Sequence, residues 1–172
     1  SVRNYRVELS SMEDTLLPKD RLVVNKLVYL HLNTETIDRL IPFVDIWQDN
    51  EPLFPFPPPR RADIIFFRFP NDPSRDFVKR VIGLPGETVS MKDGEVFIDG
   101  DRLDEPYLLE MDNDNLAPTL MPPNSYFVLG DNRRSSNDSR DWGPVPTENL
   151  IGRAWVSFWP LNRWHSLHLP SP

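Results

Sequence analysis

Thr88-Val89-Ser90-Met91-Lys92-Asp93-Gly94-Glu95-Val96-Phe97-Ile98-Asp99-Gly100 is the stretch on which the reading of this chain turns. Two β-rich runs, Thr88–Lys92 and Glu95–Ile98, flank Asp93-Gly94, and Asp99-Gly100 closes the second run. Asp-Gly between such runs is the strongest short hairpin signal, because the two-residue turn needs positive φ at both central positions. Toward the N-terminus, Gly83-Leu84-Pro85-Gly86 reads as a turn. Phe77–Ile82 and Ala62–Phe69 read as strands, as does Arg21–Leu30, rich in valine and leucine. Residues 4–9 alternate loosely and read as a short strand. In the other direction, residues 104–124 are acidic and proline-bearing and read as a loop. Ser125–Leu129 is a strand ending at Gly130, and Leu150–Trp159 is a last long strand. No helix-period segment exceeds about ten residues. The expected fold is mostly antiparallel β.

The region 31–61 differs in character. Thr34–Leu40 suits a short helix capped by Asn33 or Thr34. Pro52-Leu53-Phe54-Pro55-Phe56-Pro57-Pro58-Pro59 suits neither a helix nor a central strand. Residues 31–61 therefore read as a surface insertion, and 87–125 as a hairpin-containing excursion, in one domain spanning 1–172. A length of 172 residues suits one domain. Nineteen prolines are more than twice the usual share of about 5%, which favours short strands and irregular connections over helices.

The net charge is −7 with no sustained basic run, so no nucleic-acid surface is expected. With no cysteine in the chain, disulfides, thiol catalysis and cysteine-bound zinc are excluded. No apolar run approaches the ~20 residues of a membrane span, and no secretory leader is read in these residues. The most chemical-looking motif lies close to Ser1, where termini tend to fray. A membrane anchor removed from in front of the chain would account for that position. His165 and His168 lack a third metal ligand, and Asp112-Asn113-Asp114 lacks the glycine and glutamate of a calcium loop. No metal and no cofactor is expected, and no oligomeric state is read from the sequence.

Three segments carry candidate chemistry. Ser10-Ser11-Met12 offers a hydroxyl. In Phe77-Val78-Lys79-Arg80-Val81-Ile82, strand alternation puts Phe77, Lys79 and Val81 on one face and Val78, Arg80 and Ile82 on the other. Each cation has apolar neighbours on its own face, so one can snorkel to water while the other is buried. A buried lysine loses pKa and becomes a competent base near neutral pH. Gly130-Asp131-Asn132-Arg133 through Arg140-Asp141-Trp142-Gly143 is a dense polar loop in which Asp138 and Arg140 can pair. Taken singly, Lys79 reads as a surface lysine on an edge strand, Ser11 as an ordinary serine, and the loop as a tight polar turn.

Taken in order, the three segments resemble the type I signal peptidases of bacteria, peptidase family S26. The resemblance runs through Asp20-Arg21-Leu22-Val23-Val24, Arg61–Arg68 and Val78-Lys79-Arg80-Val81-Ile82-Gly83-Leu84-Pro85-Gly86-Glu87. It continues in Gly130-Asp131-Asn132-Arg133, Ser136, Asp138-Ser139-Arg140, Trp142-Gly143 and Gly152-Arg153-Ala154, so it covers residues 7–30 and 60–160. It implies Ser11 as nucleophile, Lys79 as general base and Ser136 as the group that orients Lys79. It also implies Asp138 and Arg140 as a supporting ion pair and the Ser11 backbone N–H as an oxyanion donor. Met12 is a candidate lining residue of the substrate pocket.

Two positions depart from the family pattern Ser-x-Ser-Met-x-Pro-Thr-Leu. Leu9 stands at the first serine, a frequent oxyanion donor, and Asp14 at the proline. Loss of one such donor costs about 10²–10³ in rate, unless another group, such as the Ser10 hydroxyl, substitutes. Ala62 replaces a common glycine.

The implied activity is a serine endopeptidase that removes signal peptides from exported preproteins after small residues, Ala-x-Ala. Shallow apolar pockets exclude larger side chains. The implied partners are preprotein signal peptides and a lipid surface, with Trp47, Leu53, Phe54, Phe56, Trp155, Phe158, Trp159 and Trp164 as candidates for bilayer contact. The catalytic domain is expected on the extracytoplasmic side of a membrane: the periplasm by default, a thylakoid lumen for a photosynthetic source. Two other readings are a self-cleaving repressor-type Ser/Lys peptidase and a weak or non-catalytic paralogue that binds exported chains. The Gly-Asp-Asn-Arg segment and the lack of a DNA-binding region argue against the first. Retention of Ser11, Lys79 and Ser136 argues against the second.

Overall fold

A computed structural model describes residues 2–6, 10–12, 21–25, 58–108, 110–159 and 165–166. The helix expected at 34–40, most of the proline-rich segment, and Leu9, Asp14, Trp47 and Trp164 lie outside the described residues, as do the side chains of Ser10, Trp155, Phe158 and Trp159.

The strands are β1 (Val2–Arg6), β2 (Arg21–Asn25), β3 (Ile64–Phe69), β4 (Asp72–Gly83), β5 (Thr88–Lys92), β6 (Glu95–Ile98), β7 (Asp101–Arg102), β8 (Leu116–Leu120), β9 (Ser125–Leu129), β10 (Val145–Pro146), β11 (Leu150–Trp159) and β12 (His165–Ser166). Among the described residues they form two sheets. The larger runs β1-β2-β11-β3-β4-β9-β10, with β12 on β11, and the smaller runs β7-β6-β5-β8. Every pairing is antiparallel. The mostly β expectation holds.

The small sheet grows from the hairpin that opened the sequence reading. Asp93 and Gly94 take φ of 50° and 82°, and Asp99 and Gly100 take 53° and 93°, the left-handed pair that a two-residue hairpin turn requires. Residues 104–124 are not wholly a loop: Leu116–Leu120 adds β8 to β5. Pro118 hid this strand, since proline is confined to sheet edges, and β8 is the edge. β4 is also longer than Phe77–Ile82. It starts at Asp72 and pairs back onto β3 around a turn at 70–71.

Among the described residues three apolar clusters fill the interior. Met12, Ile64, Phe66, Val78 and Ala154 form one. Ile65, Phe67, Phe77, Val81, Tyr126, Val128, Val145 and Leu150 form the second. The third joins Ile82, Phe127 and Leu129 of the large sheet to Val89, Met91, Val96, Ile98 and Met121 of the small region. β4 contributes to all three, so apolar packing surrounds the strand that carries Lys79. Arg61 braces the end of β4: it pairs with Glu87 at 2.6 Å, and Glu87 accepts the Leu84 N–H at 2.7 Å, which holds the turn at 83–86.

Candidate active site

Ser11 sits in a 3₁₀ turn, Ser10–Met12. Met12 anchors that turn. Its side chain is fully buried among Ile64, Phe66, Val78 and Ala154, and its Sδ accepts the Asp131 N–H at 3.4 Å. Met12 presents no surface to solvent in this structure. The Ser11 carbonyl accepts the Asn132 N–H at 3.0 Å. The loop after β9 therefore grips the Ser10–Met12 turn through two successive backbone N–H groups, those of Asp131 and Asn132.

Lys79 Nζ donates to Ser11 Oγ across 2.6 Å, with 68 residues between them in sequence. Lys79 is 2% exposed. Burial pulls its pKa down from 10.5 to about 8, against the opposing pull of Asp138 and Asp131, and Arg140 adds to the depression. An ammonium stripped of water is disfavoured over the neutral amine. The Phe77 ring lies below Nζ, 5.6 Å from its centroid.

Arg80 was expected to share burial with Lys79 unequally, one cation inside and one snorkelling. Both are buried, each 2% exposed. Arg80 remains inside because Asp131 meets it on two bonds, Nε to Oδ1 at 2.8 Å and Nη2 to Oδ2 at 2.6 Å. Its Nη1 donates to the Ala62 carbonyl at 2.8 Å, and its guanidinium lies 3.9 Å from the Tyr107 ring centroid.

The loop is organised by Asp138, which is wholly buried. Its Oδ2 accepts the Gly130 N–H at 3.0 Å. Arg140 meets it on two bonds, Nε to Oδ1 and Nη2 to Oδ2, each 2.9 Å. Asp138 also caps the single helical turn α1 (Ser139–Trp142) in a capping box with Asp141. The Ser139 hydroxyl accepts the Val128 N–H at 2.9 Å, which fastens α1 to β9. The Ser136 hydroxyl is buried and makes no hydrogen bond among the described residues, to Lys79 or to any other group. It packs against Gly130, where a Cβ would collide with Ser136 Oγ and with the Ser11 carbonyl. Glycine at 130 is therefore required by close approach.

Sequence reasoning missed several members of this ring. Asp112 and Asp114, set aside as a failed calcium loop, both accept from Arg140 Nη1, Asp114 at 2.8 Å. Glu105 accepts from Arg133 Nη2 at 2.5 Å, and Asp63 pairs with Arg153 at 3.2 Å. None of these pairs carries a local sequence signal, since each joins residues at least 26 apart. Among the described residues no group of three metal-ligating side chains occurs, and no helix is long and apolar enough to cross a membrane.

The family model for signal peptidase, peptidase S26, matches residues 1–159. The chain belongs to this family. It is 42% identical over 167 residues to signal peptidase I of Leptolyngbya laminosa, covering 93% of this chain and 70% of that protein. It is 35% identical over 175 residues to signal peptidase I of Bacillus caldolyticus, covering 94% and 81%. Thylakoidal processing peptidase 1 of Arabidopsis thaliana is 33% identical over 157 residues, covering 90% of this chain and 41% of that protein. Membership in peptidase S26 makes the chain a hydrolase of the serine peptidase type.

Proposed function

We propose that this protein removes signal peptides from exported preproteins, with Ser11 as nucleophile and Lys79 as general base. The observation that carries the reading is the 2.6 Å contact between Lys79 Nζ and Ser11 Oγ in a buried setting. In its neutral form the amine accepts the Ser11 hydroxyl proton as Oγ attacks the carbonyl before the cleaved bond. The Ser11 N–H faces the developing oxyanion. Collapse breaks the C–N bond, and Lys79 returns the proton to the departing amine. The same amine then activates water against the acyl ester and restores Ser11.

Ser136 is the group that orients Lys79 in this scheme. Its buried hydroxyl makes no hydrogen bond among the described residues, to Lys79 included, and an unpartnered buried hydroxyl is rare in folded proteins, so it is free to meet the amine during the reaction. The Asp138–Arg140 pair shapes the loop around it. Recognition of small residues, Ala-x-Ala, and action at the extracytoplasmic face of a membrane are the finer parts of the proposal, supported by kinship with the family. Residues 1–172 act as one catalytic domain with 31–61 as an insertion.

The test is incubation with a preprotein bearing an Ala-x-Ala site in detergent or lipid. Site-specific cleavage by the parent, lost in both Ser11→Ala and Lys79→Ala, is the expected result. Unaltered cleavage by either variant would overturn the dyad.

A further inference from the structure

The connection from β7 to β8, residues 103–115, touches the catalytic loop at both ends. At its start Glu105 accepts from Arg133 Nη2 at 2.5 Å and from the Tyr107 hydroxyl at 2.6 Å. Both members of the Glu105–Arg133 pair are buried, with side chains 6% and 1% exposed, and the Tyr107 ring lies against Arg80. At its end Asp112 and Asp114 hold Nη1 of Arg140, whose other nitrogens bind Asp138. The segment is itself fastened to the small sheet. The Leu103 N–H donates to the Val96 carbonyl at 2.8 Å, and the Gly94 N–H donates to the Asp114 carbonyl at 3.0 Å. Gly94 has no room for a Cβ beneath the Asp112 backbone. The hairpin turn thus packs directly under the acids that reach Arg140.

We propose that residues 103–115 are a positioning strap through which the small sheet holds the catalytic loop, Asp112 and Asp114 acting as positioning residues that keep Arg140 on Asp138 beside Lys79. The proposal rests on the reading of Ser11 and Lys79 as the dyad. The charged groups that act on Lys79 are Asp138 and Arg140 at α1 and Asp131 after β9, while Ser11 meets it from the 3₁₀ turn. Arg140 in turn faces Asp138, Asp112 and Asp114, and the Arg133 and Ser136 carbonyls. Without the strap acids, Arg140 is held less firmly on Asp138. The Asp138 carboxylate is then less neutralised where it faces Lys79, and it favours the ammonium. The strap thereby helps to keep the amine free of its proton.

The double variant Asp112→Asn with Asp114→Asn tests this on the intact chain. The readout is the ionisation of Lys79, followed by NMR of the side-chain methylene next to Nζ and assigned by its loss in Lys79→Met. It runs in parallel with the pH profile of preprotein cleavage. The NMR midpoint and the acid limb of kcat should both rise by about half a unit with KM unchanged, a roughly threefold loss of activity below the midpoint. Asp112→Glu alone should keep the parental midpoint, as should Asp101→Asn on β7. If the double variant does not fold, Asp114→Asn alone, at the more exposed carboxylate, should give a smaller shift in the same direction. A midpoint that stays in place or falls would overturn the strap. The NMR readout needs no substrate. A shifted midpoint in a protein that cleaves no preprotein would uphold the strap and sink the functional reading, and cleavage with an unmoved midpoint would do the reverse.

Discussion

On one face of β4 Lys79 meets a neutral hydroxyl, and on the other Arg80 meets a carboxylate on two bonds. Both cations are equally buried, and they are neighbours in sequence, yet the two faces treat charge in opposite ways. Beside Lys79 the carboxylate that pulls on it most strongly, Asp138, is already engaged by Arg140. Desolvation therefore prevails and the amine loses its proton near pH 8. Beside Arg80, Asp131 repays the loss of water directly, and arginine cannot give up its proton in any case. One face holds an amine of lowered pKa and the other an ion pair. Burial alone does not distinguish them; the partner does.

Substitution by methionine should separate the two faces most sharply. Lys79→Met should remove activity by about 10³-fold or more while leaving the fold at least as stable, because a buried amine gives way to an apolar chain of similar length. Cleavage assays and denaturant unfolding of the same sample check both halves. A marked fall in stability would mean that Lys79 serves the fold as well as the chemistry. Arg80→Met should do the converse: it leaves Asp131 buried without its cation and should cost about 3–5 kcal/mol in unfolding free energy.

The pH dependence of stability sharpens the contrast further. The folded pKa of Lys79, about 8, lies below its unfolded value of 10.5. Between them the unfolded chain binds more protons, so stability rises with pH across this window. The penalty is fully present below pH 8, is relieved as pH climbs toward 10.5, and amounts to about 3 kcal/mol. Lys79→Met should lack this rise when unfolding is compared at the two ends of the window, and an identical slope in parent and variant would break the assignment. Catalysis should climb through the same pH 8 region as the amine becomes neutral.

A smaller effect lies beneath the Arg80 face. Ala62, whose carbonyl receives Arg80, adopts φ of 70°, a left-handed conformation that costs an L residue about 1–2 kcal/mol. Ala62→Gly should relieve that strain, offset by the greater freedom of glycine when unfolded, for a net gain of about 0.5–1 kcal/mol by thermal or denaturant melting. The positive φ explains why glycine suits the position that Ala62 occupies.

Legibility followed the range of the interactions. The Asp-Gly turns, β5, β6, β9 and β11 were readable because a hairpin turn and a two-residue period are local properties. β8 was not, since its proline is tolerated only by its place at a sheet edge. Lys79 and Ser11 were individually unremarkable, and their spacing of 68 residues carries no local signal. A resemblance of motifs joined them before any geometry did. The strap acids were misread for the same reason: Asp112-Asn113-Asp114 has no meaning until Arg140 is folded over it.

The amino-acid sequence by itself determined the β-rich character, the hairpins and the motifs shared with the family, and it singled out Ser11 and Lys79 as candidates. Tertiary structure decided which of two adjacent cations has its pKa lowered beside a hydroxyl and which is held in an ion pair. It also placed Met12 in the core and gathered Glu105, Asp112 and Asp114 around the catalytic loop. The physical reason is that turn preference and alternation are written over a few residues, whereas desolvation and charge pairing depend on groups brought together from across the chain.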